Sequence, residues 1–91
     1  MNGGTRFPFG QLVSTANALD RVSAEDMKAA LDRHGMGDWG DLTPEDRRTN
    51  DDALNEGSRL LSSYKSSGGE TFWIITEWDR SATTILLPED Y

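Results

Sequence analysis

The spacing of apolar residues changes near Gly57. Before it they recur at intervals of three and four, and after it they alternate. In the first half, Met27, Ala30, Leu31 and His34 make one stripe on a helix expected over 24–34. Ser23 supplies an N-cap hydroxyl, Glu25 and Asp26 complement the helix dipole, and Gly35 and Gly37 stop the helix. A shorter helical turn over 16–22 precedes it. Thr43-Pro44-Glu45-Asp46 is the clearest local signal: a capping threonine, a proline where its missing N–H costs nothing, and two first-turn carboxylates. That helix should run from Pro44 to about Asn55 and leave through Gly57. Only Ala53 and Leu54 are apolar within it, so it can bury little more than its last turn, with Trp39 and Leu42 as a second anchor.

Beyond Gly57 the period is two. Strands are expected over 59–65, 71–78 and 82–87, separated by a Ser66-Ser67-Gly68-Gly69 turn and by Trp78-Asp79-Arg80-Ser81. The middle strand is apolar on both faces, with Phe72, Ile74 and Trp78 on one and Trp73 and Ile75 on the other, which predicts a central position covered on both sides. Pro8 and Gly10 break the segment 7–13, which reads as a short edge strand ending near Ser14, behind a loose 1–6 tail. The expected architecture is α+β: one domain of 91 residues holding a small antiparallel meander of three strands, extended to four if the early strand joins it, with two to three helices packed on it.

Composition narrows the functions. At 91 residues there is room for a modest core and none for a second lobe. No cysteine is present, which removes disulfides, thiolate metal sites and cysteine nucleophiles and suits a cytosolic setting. The longest apolar runs fall far below the roughly 20 residues of a membrane span, and no basic-then-apolar leader is seen. A net charge of −7 argues against direct binding to nucleic acid or to anionic membranes. The expectation is a protein of the cytoplasm.

Candidate catalytic chemistry is thin. A hydrolase triad needs a base, and His34 is the only histidine; a capping or half-buried structural role is the plainer reading for it. One histidine without cysteine cannot build a zinc shell, which leaves carboxylate sites for hard cations, and neither 38–41 nor Asn50-Asp51-Asp52 has the pattern of a calcium loop. No phosphate-cradling glycine loop precedes a helix. Trp39, Trp73, Trp78 and Phe72 could stack bases, but Glu77 and Asp79 lie where cations would be needed, so core packing is preferred. No cofactor, metal or catalytic residue is expected. A metal-dependent hydrolase or nuclease built on Asp38, Asp41, Glu77 and Asp79 is the weaker alternative.

The segment 38–56 stands apart. It holds seven carboxylates against two arginines, Arg47 and Arg48, a net charge of −5. A charged helix is often only a solvated face. Here, though, Glu45, Asp52 and Glu56 fall on one axial row, where like charges a turn apart weaken a helix, and such a row can imitate the phosphates of a duplex. Asp38, Asp41, Glu45, Asp46, Asp51, Asp52 and Glu56 are the expected partner-binding residues.

Gly37-Asp38-Trp39-Gly40-Asp41-Leu42, Glu45-Asp46 and Asn50 form the first part of a longer pattern. Gly57-Ser58-Arg59-Leu60-Leu61-Ser62-Ser63-Tyr64, Trp73-Ile74-Ile75-Thr76-Glu77-Trp78-Asp79-Arg80-Ser81 and Thr83-Thr84-Ile85-Leu86-Leu87-Pro88 complete it. Together they resemble a family of short proteins carried by bacterial plasmids, prophages and other mobile elements. The resemblance spans residues 7–91 and brings no established reaction. It implies an inhibitor of host defence, of the anti-CRISPR or antirestriction type, that occupies the basic nucleic-acid-binding surface of a defence complex. A small adaptor or regulator of plasmid or phage is the alternative. Within the pattern, Asp79 and Arg80 read as turn scaffold, with Arg80 paired to Asp79 or Glu77.

Overall fold

The computed structural model describes residues 5–91. The first four residues of the expected loose tail lie outside them, and Arg6 is not loose, because its N–H bonds the Gly35 carbonyl at 2.7 Å. The elements in order are β1 (Gln11–Ser14), α1 (Ala16–Arg21), α2 (Ala24–Gly35), α3 (Pro44–Glu56), β2 (Leu60–Lys65), β3 (Thr71–Thr76), β4 (Ala82–Leu86) and a 3-10 turn, Pro88–Asp90. The class is α+β, as the change of period predicts. The local signals act as expected. The hydroxyls of Thr15, Ser23 and Thr43 cap the three helices, and Gly57 closes α3 at φ 76°, a left-handed conformation that glycine adopts without strain.

The sheet has four strands in the order β1-β4-β3-β2. β2, β3 and β4 form the antiparallel meander, with Tyr64 opposite Phe72 and Ile74 opposite Ile85. β1 adds at the far edge, parallel to β4, so the sheet is mixed rather than purely antiparallel. Three helices separate β1 from the meander in sequence, and strands joined by so long a connection can run in the same direction.

One face of the sheet carries most of the core. Ala18, Val22, Met27 and Ala30 from α1 and α2 pack on Tyr64, Phe72, Ile74 and Ile85. A second cluster, Phe7, Trp39, Ala53 and Leu60, joins α3 and the loop before it to the sheet. On the opposite face Ile75 and Leu86 are still buried, and the Tyr91 ring meets Trp73 edge-on at 5.8 Å. β3 is therefore central and covered on both sides. Trp78 departs from expectation. β3 ends at Thr76, so the alternation lapses before Trp78, which sits in the following turn at 66% exposure instead of joining Phe72 and Ile74 in the core.

Inside the core lies a polar chain. The His34 side chain is wholly buried, with Nδ1 on the Ser62 hydroxyl and Nε2 2.9 Å from Thr76 Oγ1. Thr76 Oγ1 lies 2.8 Å from Thr83 Oγ1, whose proton goes to the Phe9 carbonyl, also at 2.8 Å. That last bond fixes the protons as far as Nε2 of the ring. Thr83 donates to the carbonyl, so it accepts from Thr76; Thr76 must accept from Nε2–H, and Ser62 donates to Nδ1. Nε2 thus carries a proton, and in the neutral ring Nδ1 accepts from Ser62. Burial, with a smaller contribution from the Arg80 charge, pushes the imidazole pKa down to about 4. Among the described residues no buried side-chain polar atom lacks a partner.

Candidate protein-binding surface

α3 lies along the outer edge of β2, and polar bonds hold it there. The Asn50 side chain behaves like a short stretch of strand: its amide N–H bonds the Leu61 carbonyl, and its oxygen accepts the Leu61 N–H at 3.2 Å. The loop before the helix covers the next pair of edge groups. Ser63 N–H donates to the Trp39 carbonyl at 3.1 Å, and Asp41 N–H donates to the Ser63 carbonyl at 2.7 Å. This approach needs glycine at position 40, where φ is 79° and a Cβ would lie 2.0 Å from the Ser63 carbonyl oxygen. The Trp39 indole N–H donates to Asp51 Oδ1 at 2.9 Å, and Arg47 reaches the Gly40 carbonyl at 2.9 Å.

Arg80 fastens the other end. Its guanidinium donates to the carbonyls of Ser58 at 2.6 Å, Glu77 at 3.0 Å and Ala53 at 3.2 Å, the last belonging to the final turns of α3. The expected pairing with the Asp79 or Glu77 carboxylate is not what forms. Arg80 holds a left-handed backbone, at φ 59°, while its side chain reaches these carbonyls. Asp79 does act as turn scaffold, accepting the Ser81 N–H at 3.0 Å, and the Ser81 bonds hold its carboxyl below the usual range.

The seven expected binding carboxylates divide into two sets. Two have work within the fold. Asp38 is paired with Arg33 at 2.8 Å, and that pairing, with help from the Gly40 N–H, keeps its pKa low. Asp51 holds the indole. Asp41, Glu45, Asp46, Asp52 and Glu56 are exposed, and no ion pair among the described residues includes any of them. With Asn50 and Ala53 as its buried residues, α3 leaves Glu45, Asp52 and Glu56 exposed, with Glu56 about 60° round the helix from Ala53. Asp46 lies apart from that row, at a shallow cleft with Leu42, Arg59, Leu61 and Tyr91.

No protein-family model, curated protein or solved structure matches this chain.

The carboxylates of the weaker, metal-dependent alternative are dispersed. Asp38 lies beside Tyr64, whose hydroxyl donates to its carbonyl at 2.6 Å, whereas Glu77 and Asp79 lie in the turn between β3 and β4. Among the described residues no three or more His, Asp or Glu side chains converge on a point where a metal ion could sit. His34 and Ser62 do touch, but both are fully buried and hydrogen-bonded into the core, so the pair has no access to a substrate. No helix among the described residues is long and apolar enough to cross a membrane.

Residue reading alone missed Asn50 as the group that covers β2. Its signal is faint: one amide on the helix face that Ala53 and Leu54 share.

Proposed function

We propose that this protein is a non-enzymatic inhibitor that binds the basic, nucleic-acid-binding surface of a defence complex through the outward face of α3. The observation that carries the reading is the row Glu45, Asp52 and Glu56, exposed and outside every ion pair of the described residues, on a 13-residue helix that buries only Asn50 and Ala53. At a helical rise of about 1.5 Å per residue the row has axial spacings of about 10.5 and 6 Å. Lysines and arginines placed to hold phosphates would meet a line of carboxylates, and a net charge of −7 would steer the approach.

The resemblance to proteins of mobile elements supplies the class of target, a CRISPR effector or a restriction enzyme in a bacterial cytoplasm. The rigid seating of α3 supports the same reading, because a face fixed by Asn50, Asp51 and Arg80 presents its charges with little loss of freedom on binding. The test is charge reversal. A Glu45→Lys, Asp52→Lys, Glu56→Lys triple variant should keep its circular dichroism spectrum and thermal midpoint, and should lose competition with DNA for the isolated effector. Undiminished competition by the folded triple variant would sink the proposal.

A further inference from the structure

The two edges of the sheet are treated in opposite ways. At β2, Asn50 and the loop from Trp39 to Asp41 satisfy the outward backbone groups. At β1 nothing does. Gln11 N–H and Thr15 N–H donate to the carbonyls of Ser81 and Ile85, so alternate residues face β4, and Leu12 and Ser14 turn their N–H and C=O groups outward. Among the described residues no group bonds them. Apart from its shortness, the usual guards of a free edge are missing: the four residues Gln11-Leu12-Val13-Ser14 contain no lysine, no proline and no charge. Beside the edge runs an apolar groove of about 420 Å³ lined by Leu12, Leu19, Met27, Leu31 and Ile85. Leu12 is 52% exposed, Val13 41% and Leu19 64%.

We infer that β1 pairs with β1 of a second copy of this chain about a two-fold axis, joining two four-stranded sheets into one. The edge is self-complementary in the strict sense. With Leu12 opposite Ser14 of the second copy, each pair exchanges two hydrogen bonds, and the axis repeats the exchange, so all outward groups of both strands are satisfied at once. Val13 then meets its own counterpart on the axis as a close, non-hydrogen-bonded pair, while Leu12 projects on the groove side beside Leu19 and Leu31.

Local charge favours a copy over a strongly charged partner. β1 is uncharged, and Lys28, the cation at the groove, is already paired with Asp32 at 3.1 Å. A four-residue edge with its flanking groove falls short of the roughly 800 Å² per partner of a standard interface, so the dimer is a reversible one. Each copy carries −7, and this long-range repulsion weakens as salt screens it. Salt therefore strengthens this dimer, the reverse of its effect on the acidic-face complex.

Sedimentation equilibrium in 0.5 M sodium chloride, over about 10 µM to 1 mM protein, reads the outcome on a scale set for weak association. The mass should rise toward twice that of the monomer, and more steeply than at low salt. Val13→Lys, which puts like charges on the axis at an exposed edge position, should leave a folded monomer. The chain lacks cysteine, so Val13→Cys introduces a single thiol at a pair spaced about 4.5 Å between Cα atoms, within disulfide reach. Mild oxidation should convert it to a covalent dimer far faster than a Gln11→Cys control. A wild-type chain that stays monomeric throughout, or a dimer that Val13→Lys leaves intact, overturns the inference; a heterologous strand as the natural occupant of this edge would appear as the first of these.

Discussion

Acidification should destabilise this protein well before its carboxylates titrate, and His34 is the reason. The folded chain holds the imidazole neutral with a pKa of about 4, against 6.5 for a free histidine. The sign follows from linkage. Above pH 6.5 neither state binds the proton and stability is at its plateau. As pH falls from 6.5 toward 4, the unfolded chain takes up a proton that the folded chain refuses, so stability is lost across that window and levels off below it. At pH 4.5 the loss amounts to about 2–3 kcal/mol, a large share of the roughly 5–10 kcal/mol expected of a domain this small. The bonding explains why the core cannot adapt. A proton on Nδ1 would face Ser62, which now donates there and would have to turn its own hydrogen elsewhere. Urea titrations followed by tryptophan fluorescence at pH 7.0, 6.0, 5.0 and 4.5 measure the slope. His34→Gln is the decisive companion, because a glutamine amide can donate toward Thr76 and accept from Ser62 without titrating. Its stability should be nearly flat over the same range. An equal acid slope in wild type and His34→Gln would refute the assignment of the effect to this residue.

Other substitutions probe the seating of α3 and of the loop before it. Asp51→Ala should cost about 1–3 kcal/mol in chemical denaturation by leaving the buried Trp39 N–H without an acceptor, and Asp51→Asn should restore most of it. Asn50→Leu removes both bonds to Leu61 and should lower stability by about 2–4 kcal/mol, with faster hydrogen exchange at the Leu61 amide as its local signature. Gly40→Ala drives a Cβ against the Ser63 carbonyl at a left-handed φ and should cost about 3 kcal/mol or more, read as a lowered thermal midpoint. Below pH 4, protonation of Asp26, Asp38, Asp79 and Asp90, all held below the normal carboxylate range by hydrogen bonds, should add a second phase of acid destabilisation.

What could be read from the residues, and what could not, follows the range of the interactions. Caps are local: Thr43, Pro44 and Gly57 placed both ends of α3 to within a residue, and alternation located β2, β3 and β4. The parallel pairing of β1 with β4 is a contact across 71 residues with no local chemistry to announce it. The polar chain through His34 left a trace that could have been used. Ser62, Thr76 and Thr83 share the parity of Leu60, Ile74 and Ile85, so three hydroxyls stood on the strand face that was otherwise apolar. Hydroxyls on a core face need a buried partner, and one histidine on the facing helix was available. For the binding surface, charge pattern and helical geometry located the row Glu45, Asp52 and Glu56, but not the employment of Asp38 and Asp51 inside the fold, since Arg33 and Trp39 reach them only through the turns of a folded loop.

The covering of β2 by Asn50 also sets how far any edge pairing can go. With only β1 open, two sheets joined edge to edge have no further edge to offer, and assembly stops at a closed pair. Lifting α3 and the loop before it from the sheet would expose Leu61 and Ser63 on the opposite side, and every added molecule would then carry a fresh edge into solution. The asparagine amide and the loop before its helix thus set the limit of edge pairing at two copies.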